Sequence, residues 1–131
     1  MNMKDIDKKP NLKPLEWMRS SKKDLKEFPV PVQKEMGIGL HVAQLGQKPK
    51  NAKPLQGFGG TGVMEMVEEH DGDTYRAIYT VKFTKMMFVL HAFQKKSKKG
   101  IATPKADMGL IEQRYKDAVE VYKKKFGKDA L

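Results

Sequence analysis

The spacing of apolar residues changes along the chain, and each spacing indicates one type of element. Residues 1–13 are polar and show no period, which predicts a flexible N-terminal leader. The apolar residues at 15, 17 and 18 indicate a short first strand that ends near Ser20. Ser20 or Ser21 can then cap a short helix, whose apolar side carries Leu25 and Phe28 and which ends at Pro29.

A second helix is predicted from about residue 32 to residue 45. Val32, Met36, Leu40 and Ala43 recur every three to four residues and so share one helical face, and Gly46 is a typical C-cap. Residues 47–62 follow as a loop rich in proline and glycine.

Three strand-like runs come next, at residues 63–69, 74–83 and 86–93. Asp71-Gly72, between the first two, is a strong hairpin signal. The third run is almost wholly apolar, which is typical of a central strand buried on both faces. A lysine-rich loop over residues 94–105 leads to a last helix, predicted from residue 104 to residue 126 by apolar residues at helical spacing.

The order of these elements predicts an α+β domain. A short first strand, two helices and a three-strand meander would form a small antiparallel sheet with a C-terminal helix, the helices lying against one sheet face. We place this domain at residues 14–126, between the leader and a C-terminal tail at residues 127–131. The 131 residues have the size of one domain. No apolar run approaches the ~20 residues that cross a bilayer, so no membrane partner is expected.

The charge of the chain narrows the class of partner. Lys and Arg number 26 against 16 Asp and Glu, and the net charge of +10 favours an anionic partner, such as nucleic acid or an acidic protein. Only three of the 26 are arginines, the residue type suited to bidentate phosphate binding. An arginine within a strand therefore carries more weight than another lysine. The absence of cysteine excludes disulfides, thiolate metal sites and a cysteine nucleophile, and is compatible with a cytoplasmic location.

The glycine-rich segment GFGGTG, residues 57–62, has the spacing of a dinucleotide fingerprint without its context. The fingerprint follows a strand and opens a helix, whereas this segment follows a loop and opens a strand. We therefore expect no nucleotide cofactor. The three histidines, His41, His70 and His91, do not have the spacing of a metal site, so no metal is expected either.

Arg76 is the first candidate site residue. A hairpin that turns at residues 71–72 pairs Val67 with Arg76 and puts Glu65 and Glu69 diagonal to it on the same sheet face. Two interpretations are open. One is a cross-strand ion pair, which contributes little if exposed. The other is a phosphate clamp on an open sheet face.

Lysines in two loops, together with a strand histidine, complete the candidate site. The lysines are Lys95, Lys96, Lys98 and Lys99 after the central strand, and Lys48, Lys50 and Lys53 in the earlier loop. Such runs are usually solvated loops, but the net charge favours a surface that contacts the phosphates of a nucleic acid. His91 lies inside the apolar strand and is either a hydrogen-bonded core residue or a catalytic group.

Several of these residues occur in the order typical of a known family. They are the loop Lys53, Pro54, Leu55 and Gly57, then Glu65, Tyr75-Arg76, Tyr79, His91, Phe93, Lys95-Lys96, Thr103-Pro104 and Arg114, with Trp17, Ser20-Ser21 and Phe28-Pro29 upstream. Over residues 14–125 the chain thereby resembles the phage-derived, HigB-like branch of the RelE/ParE toxin superfamily.

The resemblance implies a cytoplasmic toxin of a type II toxin–antitoxin pair, with a RelE/ParE-like fold. Such toxins commonly cleave mRNA in the ribosomal A site without a metal, and a helix-turn-helix antitoxin neutralises them. The ribose 2′-OH attacks the adjacent phosphate, which requires a base, a cation for the phosphorane and an acid for the leaving oxygen. Carried onto this chain, Arg76 contacts the phosphate and Lys95 and Lys96 lie near the scissile group. His91 is the further catalytic candidate.

One position departs from the pattern of that branch. Many members carry a basic residue two positions after the strand glutamate, where this chain has Val67, and the following hairpin is acidic. The alternative is therefore a toxin or binding module of the same fold without nuclease activity, acting on a protein target such as gyrase. A generic RNA-binding domain is disfavoured because exposed aromatic residues for base stacking are sparse.

Overall fold

The computed structural model describes residues 11–95 and 103–128, and its elements follow the predicted order with one addition. The helices are α1 (Ser21–Lys26), α2 (Val30–Gln44) and α3 (Lys105–Phe126). The strands are β1 (Leu15–Trp17), β2 (Ala52–Pro54), β3 (Val63–His70), β4 (Asp73–Thr80) and β5 (Met87–Lys95). The predicted α+β class is confirmed.

The five strands form one mixed sheet in the order β1-β5-β4-β3-β2. Strands β2 to β5 pair antiparallel in turn, whereas β1 pairs with β5 in parallel. Asp71 and Gly72 join β3 to β4 with φ angles of 50° and 84°, the left-handed backbone of a two-residue hairpin turn. Val67 pairs with Arg76, so the register expected from this turn is confirmed.

Three local features differ from the sequence prediction. Strand β2 lies within the segment that was predicted to be a loop. The sequence did not predict this strand, because three residues that end in a proline show no detectable alternation of apolar and polar positions. Strand β4 ends at Thr80, which makes the connection to β5 longer than the predicted turn. Ser20 precedes α1, but its hydroxyl donates to Asp24 Oδ2 at 2.7 Å and makes no capping bond to the helix backbone.

Strand side chains alternate between two hydrophobic cores, one on each face of the sheet. On one face α1 and α2 pack against the sheet, with Met36 of α2 and Met66 of β3 both fully buried. On the other face α3 buries Ile111 and Tyr122 against Phe88 of β5. The prediction that all helices lie against one sheet face is therefore wrong. Burial of β5 on both faces is confirmed.

Within the described residues, no helix combines the length and the apolar character needed to cross a bilayer.

Candidate active site

Charged side chains gather on the sheet face that α3 covers. The register places Lys53, Glu65, Ile78 and His91 in one row across four strands. Val67, Arg76 and Phe93 form the next row, and Glu69, Thr74 and Lys95 the third. Paired residues point to the same face, so these rows bring the polar side chains together. We call Glu65, Arg76, His91 and Lys95, with Asp107 and Arg114 of α3, the charged cluster.

Arg76 is ion-paired and buried within the charged cluster. Its Nη1 donates to Glu65 Oε2 at 2.9 Å, and the two residues are 8% and 4% exposed. The exposed Lys53 places Nζ 3.5 Å from the other oxygen, Oε1, so each carboxylate oxygen of Glu65 faces a cation. Of the two interpretations of Arg76, the ion pair is present, and it is buried. A buried pair costs far more to break than an exposed one.

Lys95 lies one row further along the same face and is 5% exposed. Burial and the positive charge of Arg76 lower the pKa of the Lys95 amine below 10.5, while Glu65 and Asp107 act in the opposite direction. A lowered pKa makes a lysine amine better able to accept a proton near neutral pH.

His91 has both ring nitrogens engaged by α3. Nε2 lies 2.7 Å from Asp107 Oδ1, and Nδ1 lies 3.2 Å from Arg114 Nη1. A guanidinium only donates, so Nδ1 accepts and the ring hydrogen on Nε2 points to Asp107. The ring also stacks on Phe93, with centroids 4.9 Å apart. His91 is therefore buried and hydrogen-bonded, the first of the two states considered from the sequence.

Arg114 joins β5 to the segment that precedes α1. Its Nη1 also donates to the Leu90 carbonyl oxygen at 3.0 Å, and its Nη2 donates to Ser20 Oγ at 3.3 Å. From the sequence, Arg114 was identified only as part of the family resemblance, and Asp107 was not identified. The two lie seven residues apart and so share a helical face, but nothing in the sequence showed that His91 would face them.

The other predicted RNA-binding lysines divide into three groups. Lys53 lies at the edge of the charged cluster. Lys50 lines a cavity with Ile38 and Val42 of α2, and Lys48 is exposed in the same loop. Among the described residues, neither Lys48 nor Lys50 makes a hydrogen bond or ion pair with the cluster. The remaining predicted residues, Lys96, Lys98 and Lys99, lie outside the described residues.

The glycine-rich segment and the histidines are the remaining sequence motifs. The glycine-rich segment leads into β3, as expected for a loop, and not into a helix. Over residues 11–95 and 103–128, no group of three or more histidine and acidic side chains is placed to hold a metal ion.

Taken together, the mixed five-strand sheet, the C-terminal helix and the charged cluster between them define a small α+β domain compatible with the RelE-like fold. Residues 23–116 match the model of the family described as phage-derived protein, Gp49-like (DUF891). The chain belongs to this Gp49-like family, a toxin-like family related to HigB and RelE. Searches of curated proteins and of solved structures returned no match.

Proposed function

We propose that this Gp49-like protein is the toxin of a type II toxin–antitoxin system and cleaves mRNA on the ribosome, as the HigB-like branch does. The observation that carries the proposal is that Arg76 and Lys95 are buried on adjacent strands of one sheet face, beside the pair formed by His91 and Asp107. Family membership supports the toxin class. The net charge of +10 supports an RNA substrate.

In the proposed reaction the Lys95 amine, in its neutral form, takes the proton of a ribose 2′-OH. The 2′-oxygen attacks the adjacent phosphorus, and the bond from phosphorus to the 5′-oxygen of the next nucleotide breaks. The products are a 2′,3′-cyclic phosphate and a 5′-OH end. The lowered pKa of Lys95 favours the form that can accept the proton.

Arg76 stabilises the negative charge that develops on the phosphorane. Glu65 orients the guanidinium before RNA binds, and it shares Arg76 with the phosphate afterwards. The leaving 5′-oxygen requires an acid. We assign this role to Lys96, which follows Lys95 directly in the chain. His91 supports the site by orienting side chains of α3.

The partners follow from the same proposal. The mRNA is presented by the ribosome, and a helix-turn-helix antitoxin neutralises the protein in the cytoplasm. A short reading frame for such an antitoxin next to the toxin gene is the expected arrangement.

Induced expression with mapping of mRNA ends tests the proposal. Wild-type protein should arrest growth and produce new mRNA 5′ ends in primer extension. Lys95→Met should abolish both. The double variant Glu65→Gln with Arg76→Gln should do the same, and it removes the two charges together so that neither is left buried alone. Arg19→Gln is the matched control, since Arg19 is an exposed arginine paired with Asp117. Unchanged mRNA ends in cells expressing wild-type protein contradict the proposal.

A second candidate function is a toxin of the same fold that acts on a protein such as gyrase. Two observations favour it: Val67 occupies the usually basic position opposite Arg76, and Glu65 already pairs with Arg76. The same experiment separates the two functions. Growth arrest with a DNA-damage response and intact mRNA ends supports the second.

A further inference from the structure

Within the described part of the chain, Arg114 differs from Arg76 and Arg19 in having no carboxylate partner. Arg76 pairs with Glu65, and Arg19 pairs with Asp117. Among the described residues, no carboxylate lies within ion-pair distance of Arg114. Its positive charge is therefore held in place by neutral groups alone.

Three hydrogen bonds fix the orientation of the Arg114 guanidinium. Nη1 donates to the Leu90 carbonyl oxygen and to His91 Nδ1, and Nη2 donates to Ser20 Oγ. Asp107 in turn holds His91 in the tautomer whose Nδ1 can accept. The acceptors come from β5 and from the segment before α1, so the fold itself sets the position of the charge.

The same three bonds leave two guanidinium N–H groups unused, one on Nη2 and the one on Nε. Nε has no partner among the described residues, and it is not among the buried atoms that lack one, so it is accessible to solvent. Nε and Nη2 form the edge with which arginine binds two oxygens of a phosphate.

The nearby carboxylates have other partners. Asp24 accepts from the Ser20 hydroxyl, Asp107 from His91, and Asp117 from Arg19 and Gln113. Each of them is held by its own donor, and none of these contacts involves the unused edge of Arg114.

We propose that Arg114 is a second phosphate-binding residue, which holds a phosphodiester of single-stranded RNA next to the one at Arg76 and Lys95. The inference rests on the proposed function, because it assumes that RNA is the ligand. His91 lies between the two positions: Arg114 bonds its ring, and Asp107 contacts the ring and acts on the charge of Lys95. The RNA backbone would then run across β4 and β5, from Arg76 and Lys95 to Arg114.

Binding of a short single-stranded RNA with 2′-O-methyl riboses tests this inference by fluorescence anisotropy over a range of salt concentrations. The oligonucleotide cannot be cleaved, because it has no free 2′-OH. We expect Arg114→Gln to weaken binding roughly tenfold and to lower the slope of log affinity against log salt by about one. Arg114→Lys should keep the slope and still lose affinity severalfold, because a lysine keeps the charge but lacks the planar fork.

Arg19→Gln removes one positive charge as Arg114→Gln does, but at an arginine that a carboxylate already neutralises. It should change affinity less than twofold. Equal affinities and slopes for the Arg114→Gln and Arg19→Gln proteins overturn the inference, and so does wild-type protein that does not bind the RNA. Should Arg114→Gln fail to fold, as shown by its thermal melting, wild-type affinity of Arg114→Lys overturns it. Because the readout is binding, absence of mRNA cleavage would refute the proposed function and leave this result interpretable.

Discussion

Two buried tyrosines in opposite cores differ in what happens to their hydroxyl groups. Tyr122, in the core under α3, accepts a hydrogen bond from the Lys85 backbone N–H at 3.0 Å. Tyr79, in the core under α2, has no hydroxyl partner among the described residues, and burial raises its pKa to about 12. A buried polar group without a partner lowers stability, because it has lost its bonds to water.

Tyr79→Phe should therefore raise the free energy of unfolding by about 1 kcal/mol, since it removes the unsatisfied hydroxyl and keeps the ring. Tyr122→Phe is the matched control and should lower the free energy of unfolding by about 1 kcal/mol. Urea denaturation of the three proteins measures both changes. A loss of stability in the Tyr79→Phe protein would show that its hydroxyl is bonded after all.

The ion pair of Glu65 and Arg76 gives a second prediction at the residue scale. Glu65→Ala removes the carboxylate from a buried guanidinium, so we expect a loss of about 3 kcal/mol. Glu112→Ala breaks an exposed pair with Lys116 on α3 and should change stability by less than about 0.5 kcal/mol. Thermal and urea unfolding distinguish them. Similar effects for both would mean that Glu65 is solvated.

Lys95 gives a prediction about pH. Its pKa is lowered in the folded protein, so between that pKa and 10.5 the unfolded chain binds more protons and stability rises with pH. Charged Lys95 opposes folding below the lowered pKa, and this cost is gone above 10.5. The stability gained by Lys95→Met should therefore be largest at neutral pH and shrink as the pH approaches 10.5. Lys116→Met corrects for the loss of one exposed charge. A gain that grows with pH has the wrong sign for this account.

The residue contacts that could be foreseen are those set by local register. Asp71-Gly72 fixed the hairpin, and the hairpin placed Glu65 diagonal to Arg76. The contacts of His91 could not be foreseen, because Asp107 reaches it only through the packing of α3 on the sheet. The burial of Arg76 also could not be predicted, because an alternating strand pattern does not show which face of the sheet a helix will cover.

At the scale of elements, Gly39 lets α2 lie close to the sheet. Gly39 is buried, and a Cβ at this position would collide with the Met66 side chain of β3, which is fully buried. Gly37 is exposed, and a Cβ there would meet no atom within 4 Å. The sequence shows two glycines that weaken the same helix. Of the two, Gly39 alone lies where an added Cβ would have to displace a buried side chain.

Gly39→Ala should therefore lower the free energy of unfolding, because the collision with Met66 outweighs the better helix propensity of alanine. Gly37→Ala should raise it by about 0.5–1 kcal/mol, since only the propensity changes. Chemical denaturation of both variants measures the difference. Equal stabilisation by the two substitutions would show that α2 is not held close to β3.

The elements themselves were predictable to different degrees. The long helices and the three strands of the meander carry clear periodicity, and their order determined the α+β class. Strand β2 was missed, because its three residues are too short for a pattern. The position of α3 was also missed: helical periodicity shows that one face is buried, but not against which face of the sheet.

At the scale of the whole molecule, a few of the 26 basic residues lie together in the charged cluster. The sheet face under α3 holds Arg76, Lys95 and Arg114, and Lys53 lies at its edge. Lys50 lies with α2 on the other side of the sheet. Net charge indicated an anionic partner, and the face that carries the charged cluster is the one on which we propose that it binds.

The family match and the geometry of the site support different conclusions about the protein. The match of residues 23–116 places the chain among toxin-like Gp49-like proteins, and it says nothing about which side chains act. The side chains that we propose to act are inferred from the geometry of the charged cluster. Cleavage of RNA by the charged cluster is therefore the proposal that most needs a chemical test.

The most direct measurement is the chemistry of the RNA ends that purified protein produces in a reconstituted translation reaction. We predict cuts within mRNA on the ribosome, each leaving a 2′,3′-cyclic phosphate and a 5′-OH, with no cuts by the Lys95→Met protein and wild-type cutting by Arg19→Gln. Intact mRNA with wild-type protein, or 5′-phosphate ends at the cuts, would contradict it.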